Sequence, residues 1–121
     1  MAPQTQLLEK KSQDFTPQVL AVLEQVFDRF DQDKDGALSD AELSRFSTTT
    51  NPDEPLSQEE IEEMQTYFDV NDKKQLTKKG FVQMFHMQTV ARPEDTWADL
   101  KALGYSRDLK LLSEASVGET S

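Results

Sequence analysis

The chain has 121 residues, with 23 Asp and Glu against 13 Lys and Arg, a formal charge of -10 and no cysteine. That length allows one domain with a single modest core, and the acidity argues against nucleic acid and anionic membrane surfaces as partners. The absence of thiols excludes disulfides, thiolate metal sites and thiol catalysis. In chain order, residues 1–14 are polar, contain Glu9 and Asp14 and lack an apolar h-region. They are expected to be flexible and to carry no secretion or import signal. No apolar run approaches a membrane span, so a cytoplasmic location without membrane insertion is expected. The first helix opens with Thr16 as N-cap and Pro17 at the first helical position, with Phe15 and Leu20 at staple spacing across the cap. Val19, Leu20, Leu23, Val26, Phe27 and Phe30 recur at three- and four-residue steps and give it one apolar face.

Residues 31–42 carry carboxylates at the first, third and fifth places (Asp31, Asp33, Asp35), glycine at the sixth (Gly36), an aliphatic at the eighth (Leu38) and glutamate at the twelfth (Glu42). A hard divalent cation takes about six to eight oxygens at roughly 2.3–2.6 Å, and alternate residues of a tight loop point inward to supply them. Gly36 permits the sharp reversal, Ala37 offers its backbone carbonyl, Ser39 reaches the ion directly or through water, and Glu42 closes the sphere with both oxygens. This is the pattern of an EF-hand calcium loop. Magnesium can use the same hard oxygens, but its preference for six ligands at about 2.0–2.1 Å suits a bidentate Glu42 less well. Leu43 and Phe46 continue the apolar face on a short exiting helix that ends at Ser47, and residues 47–56 read as a Thr- and Pro-rich linker.

Ser57 with Glu60 forms a capping box, bracketed by Leu56 and Ile61, and starts the next helix. Superposing Phe68-Asp69 on Phe30-Asp31 aligns Ile61 with Leu23, Met64 with Val26, Leu76 with Leu38, Phe81 with Leu43 and Met84 with Phe46. The ligands do not repeat. Lys73 takes the fifth place, Lys74 replaces the glycine and Gly80 the closing glutamate, while Lys78 and Lys79 add further positive charge. Residues 69–80 therefore predict a hand that folds without binding calcium. Its role is to complete the core, with Ala37-Leu38-Ser39 lying antiparallel to Gln75-Leu76-Thr77. The lone histidine, His86, reads as half-buried and structural, and Met64, Met84 and Met87 read as core.

Pro93 at a first helical position, with Glu94 and Asp95 in the first turn, opens a last amphipathic helix that Gly104 ends. Trp97, Leu100 and Leu103 share one of its faces, and residues 113–121 read as a flexible tail. A complete hand, a degenerate hand and a Trp-x-x-Leu-x-x-x-Gly-Tyr segment (Trp97–Tyr105) together resemble the EF-hand, hidden EF-hand and ligand-mimic helix of the mitochondrial Rho GTPases (Miro family). The resemblance runs from about Gln18 to Leu111. It implies calcium at Asp31, Asp33, Asp35, Ala37, Ser39 and Glu42, and a groove filled by Trp97, Leu100 and Leu103. No phosphate-cradling glycine cluster and no membrane tail accompany it, so only the module is implied, not GTP hydrolysis or membrane tethering.

The expected fold is all-α: paired EF-hands, one calcium-binding (15–47) and one silent (57–90), a short two-stranded contact between their loops, and an added helix over 93–104. All three lie within one ordered unit, 15–112. The expected function is a monomeric, non-enzymatic, single-site calcium-binding regulator with an unidentified protein partner. The alternative is an interaction adaptor that holds one calcium ion permanently. A closed shell of protein oxygens leaves the ion no open position for chemistry.

Overall fold

The computed structural model describes residues 7–9, 11–106 and 109. Helix α1 spans Pro17–Phe30; the backbone N–H of Val19 donates to Thr16 Oγ1, which caps it. Helix α2 spans Asp40–Thr50 and helix α3 spans Gln58–Tyr67, each opened by a reciprocal capping box, Ser39 with Glu42 and Ser57 with Glu60. Strands β1 (Ala37–Leu38) and β2 (Leu76–Thr77) lie between the helices of each pair. Helices α4 (Lys78–Ala91) and α5 (Pro93–Ala102) complete the chain of elements.

The strands pair antiparallel with Leu38 opposite Leu76 and Ala37 opposite Thr77, the register expected from the repeat. Both leucines are fully buried, so the contact that joins the two loops also seals one end of the core. The core itself is centred on phenylalanines. Phe46 meets Phe30, Phe81 and Phe85 edge-on with centroids 5.3–5.8 Å apart, and Phe81 meets Phe27 in the same way. Helices α1, α2 and α4 contribute these phenylalanines, and edge-to-face pairing adds to what burial alone contributes. Ile61 is the one buried residue of α3, matching its sparse apolar pattern.

Helix α5 packs most closely on α4 and also on α2. Its Trp97, Leu100 and Leu103 are all buried in the common core. Gly104 lies at φ +98°, the left-handed position that ends a helix. Tyr105 N–H donates to the Leu100 carbonyl and Gly104 N–H to that of Lys101, the paired bonds of a Schellman cap. Arg29 on α1 then donates to the Leu103 carbonyl at 3.0 Å, and Tyr105 Oη donates to Gln25 at 2.9 Å. These two bonds fasten the end of α5 to the far side of the first hand.

Three expectations need correcting. Helix α2 does not end at Ser47 but runs on through Thr50. Thr48, Thr49 and Thr50 donate their hydroxyls to carbonyls four residues back, and Ser47 Oγ accepts from Leu56 N–H. Side chains that usually compete with a helix are here absorbed by it. Within the described part of 1–14, Leu7 is buried and packed in the core, Leu8 bridges Phe15, and Thr16 N–H donates to the Leu7 carbonyl. The described part of that stretch is anchored at the start of α1 rather than loose. Met87 is 60 % exposed rather than core. Residues 1–6 and the expected tail at 113–121 lie outside the described residues. Among the described residues no helix is long and apolar enough to cross a membrane.

A buried polar seam joins α4 to α5. Thr89 Oγ1 and Thr96 Oγ1 lie 2.7 Å apart, and Gln88 donates to Asp99 at 3.0 Å. Burial holds the Asp99 carboxyl above its ordinary value, with the charge of Asp95 adding and the Gln88 bond opposing. A folded-state pKa raised this way favours the protonated form. Its stability contribution is therefore present below the ordinary Asp range and lost as pH rises through the raised value. Asp99→Asn, which keeps an acceptor for Gln88, is expected to stabilise the fold at pH 7 by about 0.5 kcal/mol after discounting for solvent screening. The gain should vanish when melting is repeated below about pH 4. A loss of stability at pH 7 would mean that the Gln88 bond outweighs the burial cost.

Candidate metal centre

The first loop turns twice through left-handed backbone, at Lys34 (φ 56°) and Gly36 (φ +86°). The turn brings oxygens of Asp31, Asp33 and Asp35 within 4.8 Å of one another. Backbone amides hold each carboxylate in place. Asp31 Oδ2 accepts from Gly36 N–H at 3.0 Å, Asp35 Oδ1 from Ala37 N–H at 3.1 Å, and Asp33 Oδ1 from Asp35 N–H at 3.4 Å. Partial desolvation, followed by hydrogen bonds with Asp35 and Asp31, lifts the Asp33 carboxyl above its ordinary value, whereas the Ala37 amide draws Asp35 below it. Three acids this close repel one another unless positive charge joins them.

Asp31 is the most telling of the three. It is 3 % exposed, and its Oδ1 has no hydrogen-bond partner among the described residues. A buried oxygen left bare in this way costs about 1–3 kcal/mol, more when charged. The donor set is all hard oxygen, which suits calcium or magnesium over softer metals. The residues present fit such an ion.

Glu42 is buried but stands outside the three-acid cluster. Its Oε2 accepts from Gln32 N–H at 2.8 Å and its Oε1 from Ser39 N–H at 2.9 Å, so it straps the start of the loop to its end. Ser39 Oγ accepts from Glu42 N–H and so is engaged in the α2 cap. Ala37 is buried in the strand pair. The structure thus gathers Asp31, Asp33 and Asp35, while Ala37 is engaged in the strand pair, Ser39 in the α2 cap and Glu42 on the amides of Gln32 and Ser39.

The second loop keeps the shape with other chemistry. Lys74 occupies left-handed backbone (φ 62°) at the place equivalent to Gly36. Thr77 Oγ1 donates to Asp69 Oδ2, capping the acid that corresponds to Asp31. Asn71 Oδ1 accepts from the backbone N–H of both Lys73 and Gln75. Internal donors therefore satisfy the oxygens that a cation would take. A residue missed at the sequence level, Asp40, receives Gln58 at 3.0 Å and Gln65 at 2.6 Å and ties α2 to α3 beside the site. Nothing in its spacing marks it, because the contact spans the turn between the hands.

Two helix–loop–helix units, joined back to back at Leu38 and Leu76 with an acidic cage in one of them, define a helical pair built around a divalent-cation loop. The chain belongs to the EF-hand domain pair family, whose model matches residues 20–86. That family is a non-enzymatic calcium-binding fold. The chain is also similar to Mitochondrial Rho GTPase 1 of Arabidopsis thaliana, 33 % identical over 120 residues, covering 93 % of this chain and 18 % of that protein. Probable mitochondrial Rho GTPase gemA of Dictyostelium discoideum is 29 % identical over 116 residues, 91 % of this chain and 18 % of the relative. EF-hand calcium-binding domain-containing protein 7 of Xenopus laevis is 31 % identical over 99 residues, 79 % of this chain and 16 % of the relative. The chain thus spans under a fifth of the length of these relatives.

Proposed function

We propose that the chain is a single-site calcium-binding regulatory module whose own helix α5 fills the groove that paired hands otherwise offer to a target. The observation that carries this reading is the contrast between the two first-place acids. Asp31 has a buried, unpartnered oxygen, whereas Asp69 is capped by Thr77. Asp31, Asp33, Asp35, the Ala37 carbonyl, Ser39 and Glu42 would hold the ion. Bound there, calcium supplies the positive charge that offsets the mutual repulsion of the carboxylates. Glu42 is the residue through which binding would reach the fold, because it sits in the first turn of α2 and holds Gln32 and Ser39 at once. Trp97, Leu100 and Leu103 play the part of a docked helix, held by Arg29 and the Gln88–Asp99 seam.

A second reading, an adaptor with a permanently held structural ion, is favoured by one observation. With α5 fastened at both ends, the groove it fills is closed to a target among the described residues. One titration separates the two readings. Calcium added to metal-stripped chain at about 100 times its Kd should stabilise the fold by about 2.7 kcal/mol and raise Tm. The regulatory reading expects Trp97 fluorescence to change in parallel. A rise in Tm with Trp97 silent supports the adaptor, and no rise in Tm counts against both.

A further inference from the structure

A second groove lies on the other side of α4, away from α5. Its walls are α1, the outer face of α4 and the segment ending at Phe15, and it encloses about 1030 Å³. Three large apolar side chains are well exposed among the described residues, and two of them, Met87 (60 %) and Val90 (54 %), line this groove. Leu20, Val82 and Phe15 form its floor. His86 braces the third wall, stacking edge-on against Phe15 at 5.4 Å and contacting the Gln13 carbonyl at 2.7 Å. Methionine and branched aliphatics left wet along one helical face are unusual for a surface with no occupant.

The charges along the groove are ordered. At the N-terminal end of α4 stand Lys78 and Lys79; Lys78 pairs with Asp28 at 3.7 Å, and Lys79 has no ion pair among the described residues. Glu24 on α1 and Asp14 on the third wall also line the groove without ion pairs, and Asp14 adjoins Phe15, the residue that stacks on His86. Lys79 is therefore the unpaired cation at one end, Lys78 beside it being paired with Asp28, and Asp14 is the acid at the other end, where His86 meets Gln13 and Phe15. From Lys79 to Val90 the rise along α4 is about 17 Å, the length of a twelve-residue helix. Helices commonly carry acids in their first turn and basic residues later.

We infer that this groove docks an amphipathic helix of a partner protein, about three turns long, with carboxylates in its first turn over Lys79 and Lys or Arg further on, facing Glu24 and Asp14. Its apolar stripe covers Met87 and Val90. None of the residues lining the groove belongs to the calcium loop.

The test uses the full chain and two labelled synthetic peptides with the same leucine stripe at i, i+3, i+4 and i+7. One carries Glu in its first turn and Lys thereafter; the other has these charges exchanged. By fluorescence anisotropy the first should bind with a Kd of tens of micromolar and the second roughly ten-fold more weakly. Val90→Asp should weaken the first about ten-fold or more, while Tyr67→Asp, at the exposed residue outside the groove, should change nothing. The paired exchange Lys79→Glu with Asp14→Lys should reverse the preference between the peptides, which a merely unfolded variant cannot do. Equal affinity for both peptides, binding of neither, or indifference to Val90→Asp would overturn the proposal. So would self-association of the chain that Val90→Asp abolishes, or binding to phosphatidylserine vesicles lost in Lys79→Glu when neither peptide binds.

Discussion

Glu42→Gln is expected to weaken calcium binding by at least about 100-fold, or 2.7 kcal/mol, with the helices still formed. Three effects act together. The substitution removes one negative charge from the ligand set, where attraction to a divalent ion is largest. It replaces one of the two oxygens that would close the sphere with an amide nitrogen that cannot coordinate. It also turns an N–H donor toward Gln32 N–H or Ser39 N–H, each of which now donates to a Glu42 oxygen at under 3 Å. This last effect should lower the stability of the metal-free chain by about 1 kcal/mol. Calorimetry reads the affinity, and circular dichroism reads the retained helix. Unchanged affinity would mean that the ion is closed by some other group.

Gly80→Glu restores the missing closing carboxylate of the second loop, yet it should yield no second calcium ion and should destabilise the fold. Glycine is required here by close approach. A Cβ at Gly80 would stand 2.3 Å from the Asp69 carbonyl oxygen and 2.8 Å from Leu76 Cδ1. The carbonyl belongs to backbone that also accepts from Thr77 N–H, and Leu76 is fully buried in the strand pair, so neither can withdraw freely. Gly80→Ala isolates the steric part. Alanine ordinarily favours a helix by about 1 kcal/mol over glycine. Overpacking of this severity is expected to reverse that sign, with a net loss of about 3 kcal/mol measured by chemical denaturation. A neutral or stabilised Gly80→Ala variant would show that α4 moves off the second loop readily.

The parts of the molecule that were readable from sequence are those fixed by local rules. Capping residues Thr16 and Ser57 start helices because a hydroxyl at that place satisfies an amide that nothing else can reach. The Leu38–Leu76 register followed from the repeat, since both loops must present the same residue to the partner strand. The three aspartates cluster as their alternation requires. What was not readable depends on contacts distant in sequence. Leu7 lies in a polar stretch, and its burial arises from a hairpin-like return against Phe15. Thr48 to Thr50 carry a turn-like composition, but each hydroxyl finds a carbonyl within the same helix. Met87 follows a core-like spacing on α4, yet its face of the helix is not covered by any described element. Glu42 was expected in the ligand shell; the structure adds the Ser39 amide of a capping box, which the Ser39-x-x-Glu42 spacing encodes, and the Gln32 amide ten residues away, which it does not.

The two loops differ in whether their first-place acid is left bare or capped, and counting bound ions measures the consequence of that difference most directly. Isothermal titration of the metal-stripped chain with calcium should reach equivalence at one ion per molecule. Equivalence at two, or no heat attributable to a site, would contradict it.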